Sequence, residues 1–314
     1  AHFPHPKRDR PGILIMGHMD TVHPVGTIAK LPFKLDGKFC YGPGICDMKG
    51  GNYIALEAIR QIQKLNLETP LPISVLFTTD EEIGSPYTRE TIENVASSSK
   101  VVLVPEPAQK KVGVVSGRYA IARYEASTQG KPSHAGARLK DGRSAITQMA
   151  KDILNIQNLT TDDCTFSVGV VNSGQWVNCV PTEAKAEVLS MSKKQQDLDN
   201  GIEMLMRFND QDSDVKTNIV LKSTRPVWEP QAGTLKLIQI TERLCKDLGQ
   251  PFLHESAGGG SDGNFTGAMG IPTLDGLGVS GAEIHTLNEH IEINSLETRT
   301  KLMAGLLLSI DVNF

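Results

Sequence analysis

Three apolar runs in the first third of the chain each end on acidic or imidazole side chains. They cover residues 13–16, 73–77 and 101–104, and the side chains that follow them are His18 with Asp20, Asp80 to Glu82, and Glu106. Short apolar runs are typical of buried strands, and an amphipathic helix predicted over residues 52–65 alternates with them. Open α/β sheets bind ligands beyond the carboxyl ends of their parallel strands. The pattern therefore predicts an α/β fold, with a mostly parallel sheet flanked by helices and a site at one end of its strands.

The pattern changes from about residue 119 onward. Strands are predicted near residues 120–126, 165–171, 183–189 and 218–222, with helices near 146–154 and 198–208. After Arg225-Pro226 the alternation returns, with helices near 234–248 and 295–310 and a short strand at 271–274. We therefore predict an α+β domain inserted into the α/β domain.

Composition narrows the class of protein. With 314 residues, 22% charged side chains and a net charge of -4, the chain suits about two globular domains and gives no reason to expect nucleic acid as a partner. No apolar stretch approaches the roughly 20 residues that span a bilayer, so we expect no membrane partner. Five cysteines without CxxC spacing favour a reducing compartment, and we expect a cytoplasmic protein. The chain starts at Ala1 rather than methionine, so a removed leader stays possible.

The candidate metal ligands are two imidazoles and three carboxylates, namely His18, Asp47, Glu82, Glu106 and His285. Such a set without thiolate suits zinc, manganese or cobalt in a hydrolytic site. Two such cations can hold a water between them, lower its pKa and polarise a substrate carbonyl. Cys46, beside Asp47, is interpreted as a buried thiol. Taken alone, Asp80 to Glu82 would also suit a solvated acidic turn.

Two carboxylates beside these ligands have separate predicted roles. Side chains alternate along a strand, so Glu81 and Glu82 are expected to point in different directions. With Glu82 on a metal, Glu81 is left as the general base that takes the proton of the water and returns it to the leaving amine. Asp20, two residues after His18 and on the same strand face, is expected to accept the imidazole N–H, with a turn cap as the alternative.

Six motifs, in order along nearly the whole chain, resemble the aminoacylase/carboxypeptidase family of di-zinc metallohydrolases. The most similar branch is that of the bacterial glutamate carboxypeptidases of the folate-cleaving type. The motifs are His18-Met19-Asp20-Thr21-Val22, Asp47-Met48-Lys49-Gly50-Gly51, Asp80-Glu81-Glu82-Ile83-Gly84-Ser85, Glu106-Pro107, Ser133-His134-Ala135-Gly136 and His285-Thr286.

The resemblance implies two zinc ions, and the mixed nitrogen and oxygen ligand set would also suit Co²⁺ or Mn²⁺. One ion would be held by His18 and Glu106 and the other by Glu82 and His285, while Asp47 bridges them. It also implies that Glu81 is the base and that the peptide bond after Asp47 is cis.

The resemblance further implies two domains and a homodimer. Residues 1–117 and 227–314 would form the catalytic domain, and residues 118–226 an inserted lid and dimerisation domain. His134 would reach into the active site of the partner and stabilise the oxyanion.

Three more residues match family positions that contact or border the substrate, namely Asn178, Arg225 and Gly259. An arginine fork suits a free carboxylate because it binds both oxygens. Gly259 lies in a glycine cluster without the framing of a nucleotide loop, so we interpret the cluster as backbone that approaches a ligand closely. Leu189-Ser190-Met191 stand where many relatives carry Asp-x-Arg.

The preferred function is metal-dependent hydrolysis of an amide bond next to a free carboxylate, which releases a C-terminal amino acid, with glutamate as the expected leaving group. The substrate would be a small N-acyl amino acid or a short peptide. One alternative is N-acyl amino acid deacylation of the acetylornithine or succinyl-diaminopimelate type. Another is a non-catalytic, metal-stabilised binding protein. Glu81 argues against this last alternative because such a site needs no spare base.

Overall fold

The computed structural model describes residues 1–110, 112–210 and 213–314. These form two compact units, one of residues 1–118 and 228–314 and the other of residues 119–227. The predicted boundaries of the inserted domain, 118 and 226, each lie one residue earlier.

The strands in chain order are β1 Ile13–His18, β2 Lys34–Asp36, β3 Phe39–Tyr41, β4 Ile73–Thr78, β5 Val101–Leu103, β6 Val114–Arg118, β7 Ala120–Gln129, β8 Cys164–Ser173, β9 Glu183–Ser192, β10 Lys216–Arg225, β11 His254–Ala257, β12 Thr273–Leu274, β13 Gly281–Ala282 and β14 His290–Glu292. The α-helices are α1 Gly50–Lys64, α2 Arg89–Ser97, α3 Ala145–Gln157, α4 Gln195–Met206, α5 Ala232–Asp247, α6 Gly263–Ala268 and α7 Ile293–Ser309. Within the described part of the chain, every helix is too short or too polar to cross a bilayer.

A parallel sheet with the strand order β12-β5-β1-β4 forms the centre of the first unit. Successive residues of β1 face opposite sides: Ile13 and Ile15 pack in the core with α1, α5 and α7, whereas Leu14 and Met16 pack with α2 and α6. A parallel sheet covered on both faces reads as a continuous apolar run, which is how β1 appears in the sequence. The predicted α/β class with a mostly parallel sheet is confirmed.

The second unit has an antiparallel sheet with the order β10-β7-β9-β8. Alternate residues of β7, Ala120 to Ala126, are buried in a cluster with side chains of α3 and α4. The alternation of buried and half-exposed positions along β7 is what a sheet covered on one face produces. The predicted α+β character of this segment is confirmed.

The acidic motif does not continue a strand, so the expectation that strand alternation separates Glu81 from Glu82 was wrong. Strand β4 ends at Thr78, and residues Glu81–Ile83 form one turn of 3₁₀ helix. The Asp80 carboxylate accepts the backbone N–H of Tyr87 at 2.8 Å, and this bond draws the chain out of the sheet. Asp80 therefore has a structural role at this turn. Asp20 likewise lies beyond the end of β1, so it does not share a strand face with His18.

Candidate metal centre

Six side chains of the first unit converge beyond the carboxyl ends of its parallel strands, namely His18, Asp47, Glu81, Glu82, Glu106 and His285. His18 ends β1, and Glu106 follows β5, which pairs with β1. Asp47 lies in the π-helical turn before α1, Glu81 and Glu82 lie in the 3₁₀ turn, and His285 lies in a turn near the C-terminus. The motifs therefore meet at the sheet end where α/β folds place their ligands.

Asp47 lies between the two imidazoles. Its Oδ1 is 3.2 Å from His18 Nε2, and its Oδ2 is 3.1 Å from His285 Nε2. His285 has a φ of 65°, which is uncommon outside glycine. The peptide bond between Asp47 and Met48 is cis, as the family resemblance implied. One carboxylate with an oxygen toward each imidazole has the connectivity that a bridging ligand needs.

Three glutamates surround this axis. Glu106 Oε1 is 3.7 Å and Glu81 Oε2 is 4.0 Å from His18 Nε2, whereas Glu82 Oε2 is 3.6 Å from His285 Nε2. Ligand atoms of His18, Glu81 and Glu106 lie within 4.8 Å of one another, and so do those of His18, Asp47 and Glu82. The first of these groups contains Glu81, so distances alone do not assign it to the role of base.

The donor set fits divalent cations. Glu82 Oε1 is buried and has no hydrogen-bond partner in the described part of the chain. A buried polar atom of this kind is rare unless an ion or a water satisfies it. His18 Nδ1 lies 3.0 Å from the carbonyl oxygen of Asp20, so Nδ1 is used by this bond and Nε2, which faces Asp47 and Glu106, is the nitrogen that would bind a cation. Nitrogen and carboxylate oxygen together are the ligands that zinc takes in hydrolytic sites.

The acceptor of the His18 N–H differs from the expected one. It is the main-chain carbonyl of Asp20, while the nearer carboxylate oxygen is 3.5 Å away. The other carboxylate oxygen of Asp20 accepts the backbone N–H of Glu82 at 3.0 Å. Asp20 therefore joins the loop after β1 to the acidic turn, because its carboxylate is used there.

Negative charge crowds the cluster. Burial, together with the charges of Asp47 and Glu81, raises the pKa of Glu82 to about 7. Burial and the charge of Asp47 also raise the pKa of Glu106 well above its ordinary value. Burial opposes the protonated form of His18, but hydrogen bonds to Asp20 and Asp47 outweigh it and raise its pKa. Bound cations would neutralise this excess of carboxylates.

The stability of the metal-free protein is expected to fall between about pH 5 and pH 7. The folded Glu82 carboxyl keeps its proton up to a pKa of about 7, while the usual value is 4.5, so the folded state binds more protons in this window. A shift of one pKa unit corresponds to roughly 1.4 kcal/mol. After allowance for solvent screening, the free energy of unfolding should fall by about 1 to 2 kcal/mol. Urea unfolding of chelator-treated protein measures it. With saturating zinc the fall should vanish, because deprotonated ligands bind metal. Metal-free stability that rises across this window would contradict the charge balance.

The loop that carries Asp47 is held by a residue that the sequence analysis missed. The Glu289 carboxylate, which is 1% exposed, accepts backbone N–H groups from Gly44, Cys46 and Asp47 at 2.8 to 3.0 Å. Its position four residues after His285 was the available signal. A second close approach lies at Gly51, where a β-carbon would be 1.8 Å from the carbonyl oxygen of Pro105. Only glycine therefore lets the start of α1 pack beside the segment that carries Glu106.

The predicted substrate-binding residues lie in both units. Gly259, in the first unit, accepts a hydrogen bond from Arg118 Nη1 at 2.9 Å through its carbonyl oxygen. In the second unit, the exposed His134 accepts the backbone N–H groups of Gly136 and Ala137 on Nδ1. The Asn178 carbonyl accepts the N–H of Ala135, and Arg225, at the end of β10, is buried. Their contacts with substrate stay predictions.

Comparison with known proteins gives one family. The sequence profile of peptidase family M20/M25/M40 matches residues 14–309. Carboxypeptidase G2 of Pseudomonas sp. (strain RS-16) is 30% identical over 307 residues, which cover 95% of this chain and 74% of that protein. A succinyl-diaminopimelate desuccinylase of Helicobacter pylori (strain HPAG1) is 26% identical over 312 residues, covering 93% and 78%. Among solved structures, the M20 family metallo-carboxypeptidase Sso-CP2 of Sulfolobus solfataricus superposes with a TM-score of 0.74 at 16% identity, covering 98% of this chain and 86% of that one.

Proposed function

The chain belongs to peptidase family M20/M25/M40, a family of metal-dependent hydrolases, and from that premise we propose that it is a di-zinc carboxypeptidase that releases a C-terminal amino acid, glutamate first among them. The observation that carries the proposal is the position of Asp47 between His18 and His285, with one oxygen toward each. The 30% identity to carboxypeptidase G2 supports the choice of a carboxypeptidase.

In the proposed site, His18 and Glu106 would hold one cation, Glu82 and His285 would hold the other, and Asp47 would be a ligand of both. When bound, the cations supply a water of lowered pKa and polarise the scissile carbonyl. Co²⁺ or Mn²⁺ could take the place of zinc, since both accept nitrogen and oxygen ligands.

Glu81 performs the proton transfers in this proposal. Its carboxylate takes one proton from the water as the water oxygen bonds to the carbonyl carbon, and it then gives that proton to the leaving nitrogen as the C–N bond breaks. Glu81 Oε2 is 4.0 Å from His18 Nε2, so it borders the ligand cluster from the acidic turn. His134 would donate from Nε2 to the carbonyl oxygen as charge develops there. Its Nδ1 already accepts two backbone N–H groups, which supports the tautomer that has its proton on Nε2.

Three residues would select the substrate by contacting its leaving amino acid. Arg225 would bind the free carboxylate, because a guanidinium can donate to both oxygens at once. Asn178 and the backbone near Gly259 would contact the rest of the leaving amino acid.

A deacylase is the second candidate, and two observations favour it. The alignment of this chain with the succinyl-diaminopimelate desuccinylase of Helicobacter pylori covers 78% of the desuccinylase. Residues 189–191 of β9 carry no charge, so these three positions supply no cation for an acidic side chain of the substrate.

A release assay separates the candidates. The zinc-loaded protein is incubated with benzoyl-glutamate conjugates, with N-succinyl and N-acetyl amino acids, and with benzoyl-glutamate whose α-carboxylate is amidated. A carboxypeptidase releases glutamate from the first set and spares the amidated control. Hydrolysis confined to the N-succinyl or N-acetyl compounds would establish the deacylase instead. Protein that binds two ions and cleaves none of these compounds would be the binding protein.

We also propose that the second unit is a lid and dimerisation domain and that the protein is a cytoplasmic homodimer. Strand β8 is at the edge of its sheet and leaves Val170 and Val171 exposed, and the nearby Trp176 is 71% exposed. An apolar sheet edge of this kind favours pairing with another chain. The five cysteines are free thiols, which supports the reducing compartment.

Mixing two inactive variants tests whether His134 acts in the partner subunit. His134→Ala and Glu81→Ala homodimers should each be nearly inactive, whereas a mixed dimer has one site with both side chains intact. Random exchange should restore about a quarter of the wild-type sites, since half of the dimers are mixed and each has one good site. Native mass spectrometry confirms that exchange has occurred. Exchange without recovered activity would place His134 in the site of its own chain.

A further inference from the structure

The carboxylate of Glu289 is buried and fully used by hydrogen bonds. Oε1 accepts the backbone N–H of Cys46 at 2.9 Å and of Asp47 at 3.0 Å. Oε2 accepts the N–H of Gly44 at 2.8 Å and lies 2.8 Å from His23 Nε2. A carboxylate accepts about four hydrogen bonds, so this one has no oxygen lone pair left for a metal ion.

The three N–H groups lie at the start of a single π-helical turn, Ile45–Lys49, whose backbone is not helical at Asp47. They belong to the segment between β3 and α1, which turns sharply, with Gly44 at a φ of 66°. Gly44 and Cys46 are buried, so without Glu289 their N–H groups would lose their partner away from water. Hydrogen bonds to a charged acceptor are about twice as strong as neutral ones. Glu289 is therefore the group that fixes the path of this loop up to Asp47.

Glu289 also belongs to the segment that carries His285. The turn between them is closed by bonds from Thr286 N to the Glu283 carbonyl and from Glu289 N to the Thr286 carbonyl. Directly after Glu289, β14 pairs with β3 in antiparallel register, with His290 opposite Tyr41. One end of this strand pair thus carries both the Asp47 loop and the His285 turn, and Glu289 joins them on the side nearest the ligands.

We propose that Glu289, supported by His23, is a positioning residue that sets the distance between Asp47 and His285, and so tunes the affinity and geometry of the cation that His285 holds. The inference rests on the proposed metal site. The 3.1 Å contact between Asp47 Oδ2 and His285 Nε2 joins two loops that are 238 positions apart in sequence. Outside this contact, the Glu289 carboxylate is the group that fixes one loop to the other through the backbone of Asp47 itself. Residues that orient metal ligands in this way typically change affinity or activity by about 10- to 100-fold when replaced.

The test uses the full-length protein, stripped with a chelator and titrated with Co²⁺, whose visible absorption reports ligand geometry. The variants are Glu289→Ala and Glu289→Gln, and the control is Asp152→Ala. Asp152 is a buried carboxylate of the second unit that bonds to Gln148 and Thr217, so its loss destabilises the protein without touching a candidate ligand. Calorimetric titration gives the affinity of each ion independently of turnover.

Wild-type protein and Asp152→Ala should bind two Co²⁺ ions with the same spectrum. Glu289→Ala should bind at least one ion about 10- to 100-fold more weakly, with a shifted absorption band. Glu289→Gln should fall between them, because its amide oxygen still accepts N–H groups on one side while its NH₂ opposes them on the other. If Glu289→Ala does not fold, the comparison of Glu289→Gln with wild-type protein provides the test.

Two results would overturn the inference while leaving the metal site in place. In the first, the folded Glu289 variants bind two ions with wild-type affinity and spectrum. In the second, Asp152→Ala weakens binding as much as they do. Wild-type protein that binds no Co²⁺ would instead overturn the proposed function, and the inference with it.

Discussion

Glu81→Gln is expected to lower kcat by about 10² to 10⁴-fold, the usual contribution of a general base, while both cations stay bound. Glutamine keeps the size of the side chain and one acceptor oxygen, but it cannot take a proton at neutral pH. If Glu81 acts only in proton transfer, KM should change little, because substrate binding uses other side chains. Metal analysis of the dialysed protein together with steady-state kinetics measures both quantities.

Glu82→Gln is the matched control, since it changes the adjacent residue in the same way. It should lose one of the two ions, because Glu82 lies 3.6 Å from His285 and has a buried oxygen without a partner in the described part of the chain. The alternative is that Glu81 is the metal ligand, because its carboxylate groups with His18 and Glu106 in the same cluster. If Glu81→Gln loses an ion and Glu82→Gln keeps both, the two glutamates have exchanged roles. If Glu81→Gln turns over at the wild-type rate, the proposed mechanism is wrong.

The fold could be predicted to the extent that its elements leave a periodic pattern. The apolar run at residues 13–16 is strand β1, and the stripe predicted over 52–65 is helix α1, Gly50–Lys64. Strands β3 and β14 were missed because each has three residues and is half exposed, so neither shows a period. Yet the pairing of β3 with β14 brings the loop of Asp47 beside the turn of His285.

The site could be predicted only in part, for the same reason. His18 ends β1 and Glu106 follows the neighbouring parallel strand β5, so their proximity can be inferred from local pattern and sheet geometry. The distance of His285 from Asp47 depends on a contact between segments 238 positions apart, which residue types alone cannot give. The acidic turn was predicted in part. Glu81 and Glu82 both reach the cluster as expected, but they do so from a 3₁₀ turn that follows Asp80 and not from a strand. Glu289 belongs to none of the six motifs, and three of the four partners of its carboxylate are backbone N–H groups, which leave no signal in residue type.

Asp47→Ala is expected to have the largest effect on metal content. Asp47 is the carboxylate that contacts both imidazoles, so its loss removes a ligand from each proposed cation at once. Removing a residue that merely orients a ligand weakens binding by about 10- to 100-fold, and losing a shared ligand should exceed that range for both ions. Dialysed protein should therefore contain less than one ion per chain and show no measurable hydrolysis. Titration calorimetry with zinc measures the affinities.

The substitution should leave the chain folded, because the loop around position 47 is held through its backbone by Glu289 rather than through the Asp47 side chain. Asp36→Ala, which removes an exposed carboxylate from β2, is the control for the loss of one negative charge. Excess zinc should restore little activity to Asp47→Ala, since the proposed mechanism requires two cations that share this ligand. A folded Asp47→Ala protein that retains two tightly bound ions would show that Asp47 is not shared between them, and the bridging assignment would then pass to another carboxylate of the cluster.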